Sequence, residues 1–281
     1  MQRLKGKRAL ITGAGGAIGS ALAVAFAREG ADVAIHYKSS IKNAEDNAGK
    51  CKSYGTKAIT IQADISKTNE IERMIAEAAA GLGGLDIVIN NAIYGPQIDI
   101  MELSLEEINR TFDTNMRGYY YTGLLGIRQM VKQGNKRGWL VSISSISSRS
   151  MTSTYTHYGA TKGGVEAMTR GFGVAFAKYG INVNAVAPGC VATPTVKNMF
   201  EDPINADPVL NRTPSGFIPE VEDVVGPVIF LCTEEARSIT GQVIDIDGGY
   251  LIQGMEWEMS QEMKDFRNAL EEGGADLIRK K

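Results

Sequence analysis

Apolar residues arrive in short continuous runs, separated by longer segments in which they recur at helical spacing. Seven runs have strand character: Arg8–Thr12, Asp32–His36, Ala58–Gln62, Leu85–Asn90, Trp139–Ser144, Ile181–Ala187 and Gln242–Asp247. Several are hydrophobic throughout, as strands buried on both faces should be. Helices are predicted between them near Ile18–Glu29, Asn43–Ser53, Thr68–Ala80, Leu105–Gln133, Thr156–Lys178 and Val221–Cys232. This alternation predicts a single doubly wound α/β domain, a seven-stranded parallel sheet with helices on both faces.

Two segments break the rhythm. Thr193–Pro219 contains several prolines and is too long for an ordinary connection, which suggests a lid or binding loop at about 193–219. After Tyr250, Met259, Met263, Phe266 and Leu270 fall at helical spacing before Gly273 and Gly274. The expected organisation is therefore a domain over residues 1–250 and a helical extension over 251–281. No Pro- or Gly-rich linker and no internal repeat divides the domain further.

Composition narrows the class of partner. The 281 residues are 43% hydrophobic and 22% charged, enough for one substantial core. Lysines and arginines number 30 against 32 acids, a formal charge of -2, so no global positive field gathers nucleic acid or anionic lipid. A small molecule is the expected partner. Basic MQRLKGKR followed by the uncharged run Ala9–Ala27 imitates a signal peptide, but Gly13, Gly15, Gly16 and Gly19 interrupt that run where a membrane helix would want bulk. Cys51, Cys190 and Cys232 lie outside any metal-ligand spacing, and His36 and His157 are too few and too separated for a metal site. A soluble, cytoplasmic protein without metal is expected.

Those glycines sit in a strand, turn and helix, Arg8-Ala-Leu-Ile-Thr-Gly-Ala-Gly-Gly-Ala-Ile-Gly19. Such a turn lets backbone approach a pyrophosphate, whose charge is stabilised by free N–H groups at the helix start. After the second strand an acid would favour NAD(H) by bonding the ribose 2′-hydroxyl. The chain instead reads Ile35-His-Tyr-Lys-Ser-Ser40, so Tyr37, Lys38, Ser39 and Ser40 favour NADP(H), with NAD(H) permitted. A solvated lysine with turn serines is the plainer alternative. Asp64, ending the third run, either accepts from an adenine amino group or caps the next helix. Asn90-Asn-Ala-Ile93 either braces strand ends beside the cofactor or satisfies a turn.

Tyr158-Gly-Ala-Thr-Lys162 places a phenol and an ammonium four residues apart on one helix face. A cation beside tyrosine favours phenolate, yet lowering its pKa by ~3 units takes ~4 kcal/mol. That exceeds an exposed ion pair, so a desolvated site and a positively charged oxidised nicotinamide are expected to contribute the rest. Ser144 and Ser145 follow the fifth strand, where ligands of open α/β sheets bind. Asn115 interrupts an amphipathic helical segment; it either holds a water in a proton relay or marks a kink.

Together these motifs, spread from Thr12 to Gly249, resemble the short-chain dehydrogenase/reductase family. The resemblance implies a Rossmann-type domain and a catalytic set of Asn115, Ser145, Tyr158 and Lys162. It implies cofactor contacts from Thr12, Gly13, Gly15, Gly16, Ala17, Ile18, Gly19, Asp64, Ile65, Asn91 and Ala92. Pro188, Gly189, Val191 and Thr193 would contact the nicotinamide end. Tyr158 would be the general acid or base, Ser145 would hold the substrate oxygen, and Lys162 would bind the ribose and lower the tyrosine pKa. Asn115 would position a water linking that lysine to solvent. Ala17, Ile93 and Ser148 depart from glycines frequent in the family; Ala17 is tolerable if the helix has begun there, and the other two reshape the pocket wall.

The expected activity is hydride transfer between NADP(H) and a secondary alcohol or ketone. A 3-oxoacyl carrier-protein reductase and a sugar 1-dehydrogenase are rival enzyme readings, and a non-catalytic nucleotide sensor or scaffold is the rival of another class. Ser145, Tyr155, Tyr94 and Gln97 are candidate substrate contacts, with Arg149, Met151, His157 and Phe200 nearby, although any of these could be ordinary packing or surface residues. Such a lining suits a polyol, sugar or small hydroxyketone, while methionine and phenylalanine equally suit an apolar ketone. The resemblance also implies a homo-oligomer, a dimer or tetramer built on the long helices.

Overall fold

In the computed structural model, residues 2–254, 261 and 265 are described. The elements run β1 (Arg8–Ile11), α1 (Ala17–Arg28), β2 (Asp32–Tyr37), α2 (Ile41–Lys52), β3 (Ala58–Gln62), α3 (Thr68–Leu82), β4 (Ile87–Asn90), α4 (Leu105–Phe112), α5 (Gly118–Lys132), β5 (Gly138–Ile143), α6 (Thr156–Phe176), β6 (Ile181–Pro188), α7 (Pro194–Met199), α8 (Pro203–Leu210), α9 (Val221–Leu231) and β7 (Val243–Ile246). All seven strands pair in parallel in the order β3-β2-β1-β4-β5-β6-β7. The strand order reverses between β1 and β4, and the crevice outside their carboxyl ends is where such sheets bind ligands.

The continuous apolar runs have their expected cause. Strands β4, β5 and β6 are buried along their whole length because helices cover both faces of the sheet. On one face Leu22 and Phe26 of α1 and Val224 and Val228 of α9 pack with Trp139 and Val141. On the other, Ile71 and Met74 of α3, Tyr119 and Ile127 of α5 and Phe172 of α6 pack with Val88 and Leu140. Phe26 is fully buried, so its truncation to alanine should cost about 3–5 kcal/mol.

Two expectations change. The single helix predicted over Leu105–Gln133 is divided into α4 and α5 by a π-type turn, Asp113–Arg117, centred on Asn115. Thr193–Pro219 is not irregular throughout: α7 and α8 each start with proline in the first turn and are capped by the side chains of Thr193 and Asp202. Proline already lacks the N–H that a first turn leaves unpaired, so the residues that looked like helix breakers are helix starters.

By internal contacts the chain divides into Met1–Leu251 and Ile252–Lys281. In the second unit Gln261 Nε2 donates to Asp265 Oδ1 at 2.8 Å; the predicted stripe of Met259, Met263, Phe266 and Leu270 lies outside the described residues. Among the described residues, no helix is long and apolar enough to cross a membrane.

Candidate active site

The Gly-rich turn is shaped by contacts that only hydrogen fits. Gly13 has a φ of 65°, and a Cβ there would lie 2.7 Å from Ala92 Cα. A Cβ on Gly19 would meet Gly13 O at 2.3 Å and Asn91 Nδ2 at 2.6 Å. The turn therefore sits directly against the end of β4. Helix α1 begins at Ala17, which accommodates its methyl group, and Gly16 at its N-cap provides no side-chain acceptor. The first N–H groups of α1 are thus free of a side-chain cap, as a pyrophosphate site requires.

A cavity of about 350 Å³ opens over this turn, lined by Gly13, Gly15, Gly16, Ala17, Ile18, Gly19, Tyr37, Lys38, Ser39, Ser40, Asn91, Ala92 and Thr193. Thr12, Asp64 and Ile65 lie outside that lining. Thr12 is buried, and its hydroxyl accepts from the N–H groups of Asn91 and Ala92, so it braces the turn from behind. Ile65 is a core residue. Asp64 pairs with Lys38 at 2.8 Å and accepts from Ser66 N and Oγ. His36, which sequence reasoning considered only as a metal ligand, is a buried bracket: Gly13 N donates to its Nδ1 at 3.0 Å, and Nε2 lies 2.9 Å from Ala63 O. Desolvation pushes its pKa down to about 4, which keeps Nδ1 available as an acceptor near neutrality.

A second cavity of about 550 Å³ adjoins the first through Ile18, Asn91, Ile93 and Thr193. Ser145 after β5 and Tyr158 and Lys162 on α6 line it, together with Pro188, Gly189 and Val191 after β6. Lys162 is fully buried; its Nζ lies 5.5 Å from the Tyr158 ring centre, donates to Ile143 O at 2.6 Å and reaches the Tyr119 hydroxyl at 3.4 Å. Desolvation holds its pKa down to about 7. Burial raises the Tyr158 pKa above the ordinary phenol value, with hydrogen bonding from Ser145 opposing it. The expectation that desolvation would promote phenolate is therefore corrected: removing water disfavours the charged form. Acidity has to come from positive charge brought close to the oxygen.

Asn115 is completely buried, and its amide is occupied by backbone: Oδ1 accepts from Tyr94 N at 2.8 Å and Nδ2 donates to Tyr94 O at 2.7 Å. Nδ2 also lies 3.4 Å from Thr161 Oγ1. The π-type turn is centred on this residue, and its amide braces the segment after β4. Tyr94, an expected substrate contact, is not part of the cavity lining. Its hydroxyl donates to Glu107 at 2.6 Å and Arg110 covers its ring at 3.9 Å, outside the cavity lining.

The residue that does reach Tyr158 from this segment is Gly95, which the sequence did not single out. A Cβ on Gly95 would lie 2.6 Å from Tyr158 Cδ2. Ile93 is exposed and belongs to both cavity walls. Gln97, Tyr155 and Phe200 line the large cavity, joined by Thr152, Thr154, Met199, Asn205, Val209 and Thr213, which the sequence did not single out. Ser148 points away, its hydroxyl lying within hydrogen-bond distance of Ser145 O and Glu166 Oε1, and Arg149 forms a two-pronged pair with Asp245. Met151 is outside the lining, and His157 is buried with no ring partner among the described residues.

Comparison with known proteins identifies the family. Residues 13–251 match the family described as enoyl-(acyl carrier protein) reductase. An L-rhamnose 1-dehydrogenase (NAD(P)(+)) from Sphingomonas is 33% identical over 252 residues, 90% of this chain and 99% of that protein. Glucose 1-dehydrogenase 2 from Bacillus subtilis is 30% identical over 256 residues, 91% of this chain and 98% of that one. A short-chain dehydrogenase from Burkholderia cenocepacia, solved in complex with NADP, superposes with a TM-score of 0.81 at 32% identity, over 88% of this chain and 99% of that chain. The chain belongs to the short-chain dehydrogenase/reductase family, and NAD(P)-dependent oxidoreduction follows from that membership.

Proposed function

We propose that the enzyme interconverts a secondary alcohol and a ketone, with Tyr158 as general acid and base. The observation that carries this reading is the convergence of Ser145, Tyr158 and Lys162 on one cavity that opens into the glycine cradle. Gly13–Gly19 and the uncapped start of α1 would hold the pyrophosphate, and Pro188, Gly189, Val191 and Thr193 the nicotinamide end. When bound, the dinucleotide supplies or accepts the hydride.

Ser145 donates to the substrate oxygen and fixes it beside Tyr158. In reduction Tyr158 gives its hydroxyl proton to that oxygen; in oxidation it removes the proton. Lys162 binds the nicotinamide ribose and, as an ammonium near the phenol, favours phenolate against the burial that opposes it. Asn115 holds Tyr94 and hence the segment carrying Gly95, so it is a positioning residue.

Within the same hydride chemistry we favour a sugar 1-dehydrogenase, in which the carbinol is the cyclic hemiacetal at C1 and the product is a lactone, where an ordinary secondary alcohol would give a ketone. The hydroxyl and amide groups of Gln97, Ser147, Ser150, Thr152, Thr154 and Asn205 along the cavity suit a polyhydroxylated ligand, and two relatives are named for sugar oxidation at that position. We infer that NADP(H) is preferred, from Lys38, Ser39 and Ser40 at the cradle mouth, and that the enzyme is a cytoplasmic homo-oligomer. Free Cys51, Cys190 and Cys232 fit a reducing compartment. Initial rates for aldoses, secondary alcohols and ketones with all four dinucleotides test this; no turnover of any carbonyl or carbinol would overturn it.

A further inference from the structure

Lys38 and Asp64 follow neighbouring parallel strands, β2 and β3, whose last registered pair is Tyr37 and Gln62. Their side chains meet at 2.8 Å on the rim of the cradle. The two partners are unequal in freedom. The Asp64 carboxylate is largely covered and also receives Ser66 N and Oγ, whereas the Lys38 side chain is 56% exposed and can swing. Against the opposing effect of burial, the Lys38 and Ser66 hydrogen bonds bring the Asp64 pKa down to about 2, so the carboxylate is charged at any working pH. Glu70, the next carboxylate along, is engaged by Asp64 N and by Lys67.

We propose that Asp64 sets the balance between NADP(H) and NAD(H) by competing with the 2′-phosphate for the Lys38 ammonium. This rests on the reading of the cradle as a dinucleotide site. A 2′-phosphate engages Lys38 only by drawing it from a fixed carboxylate or by sharing it with one, in either case with like charges brought together. A 2′-hydroxyl demands neither, so Asp64 disfavours NADP(H) selectively. Any adenine contact made by Asp64 acts on both dinucleotides equally and cancels in their ratio.

Calorimetric titration of the full-length protein with NADP+ and NAD+ tests the proposal in wild type, Asp64→Asn, Lys38→Met and the double variant. The lysine is over half exposed, so the expected change is modest: Asp64→Asn should shift the affinity ratio toward NADP+ by about three- to tenfold. Competition also predicts that at least half of this shift disappears in the Lys38→Met background. An unchanged ratio, a shift toward NAD+, or an equal shift in both backgrounds overturns the proposal while leaving the cofactor reading intact. Failure of wild type to bind either dinucleotide overturns both.

Discussion

Lys162 and Lys38 stand at opposite ends of the joined cavities and carry the same ammonium into opposite surroundings. Lys162 is sealed behind Tyr158 and Tyr119, and desolvation governs its protonation. Lys38 is over half exposed, so solvent screens its pairing with the largely covered Asp64 carboxylate. On the proposed mechanism, charge at the buried end acts on the chemistry through a low-dielectric medium, while charge at the exposed rim modulates affinity only weakly. Large effects are therefore expected at the first end and small ones at the second.

The largest expected effect is at Tyr158. Tyr158→Phe removes the proposed proton donor and keeps the ring that packs against Gly95, so kcat should fall by about 10²–10⁴-fold while dinucleotide affinity holds. Retained turnover would show that the buried end is not the catalytic one. Steady-state kinetics with a titration of cofactor affinity measures both.

Lys162 gives the next test. Its pKa is about 7 in the folded protein against an ordinary 10.5, so between those values the unfolded chain binds a proton that the folded chain lacks. Stability from this residue therefore rises with pH through that window; below it both states are protonated and the burial penalty is constant. Lys162→Met abolishes the slope. In dinucleotide-free protein the melting temperature of the variant minus that of wild type should be greatest near pH 7 and below and shrink as pH approaches 10. A constant difference would mean that the lysine is not desolvated.

The two ends also differ in how far the sequence discloses them. The buried strands, the glycine turn and the Tyr158–Lys162 spacing are local patterns, each enforced by its own sterics or helical repeat, and they stand where the pattern puts them. Pairing between distant segments has no such local signature. Lys38 meets Asp64 only because β2 and β3 are neighbours, and Gly95 touches Tyr158 only because Asn115 ties down the chain after β4. Tyr94 illustrates the limit: its position beside the catalytic segment was legible, but its hydroxyl is claimed by Glu107 from another element. In Thr193–Pro219 the prolines concealed helices, since a breaker and an N-terminal starter are the same residue seen without its dihedral context.

Gly95 offers a test of smaller magnitude. A methyl group there must displace the Tyr158 ring or its own loop, and misplacement of a reacting group by about 1 Å reduces turnover by up to about 10²-fold. Gly95→Ala should accordingly lower kcat by about ten- to a hundredfold with dinucleotide affinity unchanged. Equal loss of kcat and cofactor binding would point to collapse of the loop.

The smallest expected effect belongs to the cavity wall contributed by the segment after β6. Phe200 ends α7 and contributes a half-buried ring to the large cavity. Contacts of this kind hold the ground state and transition state equally, so Phe200→Ala should raise KM about two- to fivefold and leave kcat unchanged. The melting temperature should move little, because the ring is not part of either core cluster. A fall in kcat with constant KM would instead mean that α7 closes over the site during turnover, joining this wall to the buried end in function as well as in space.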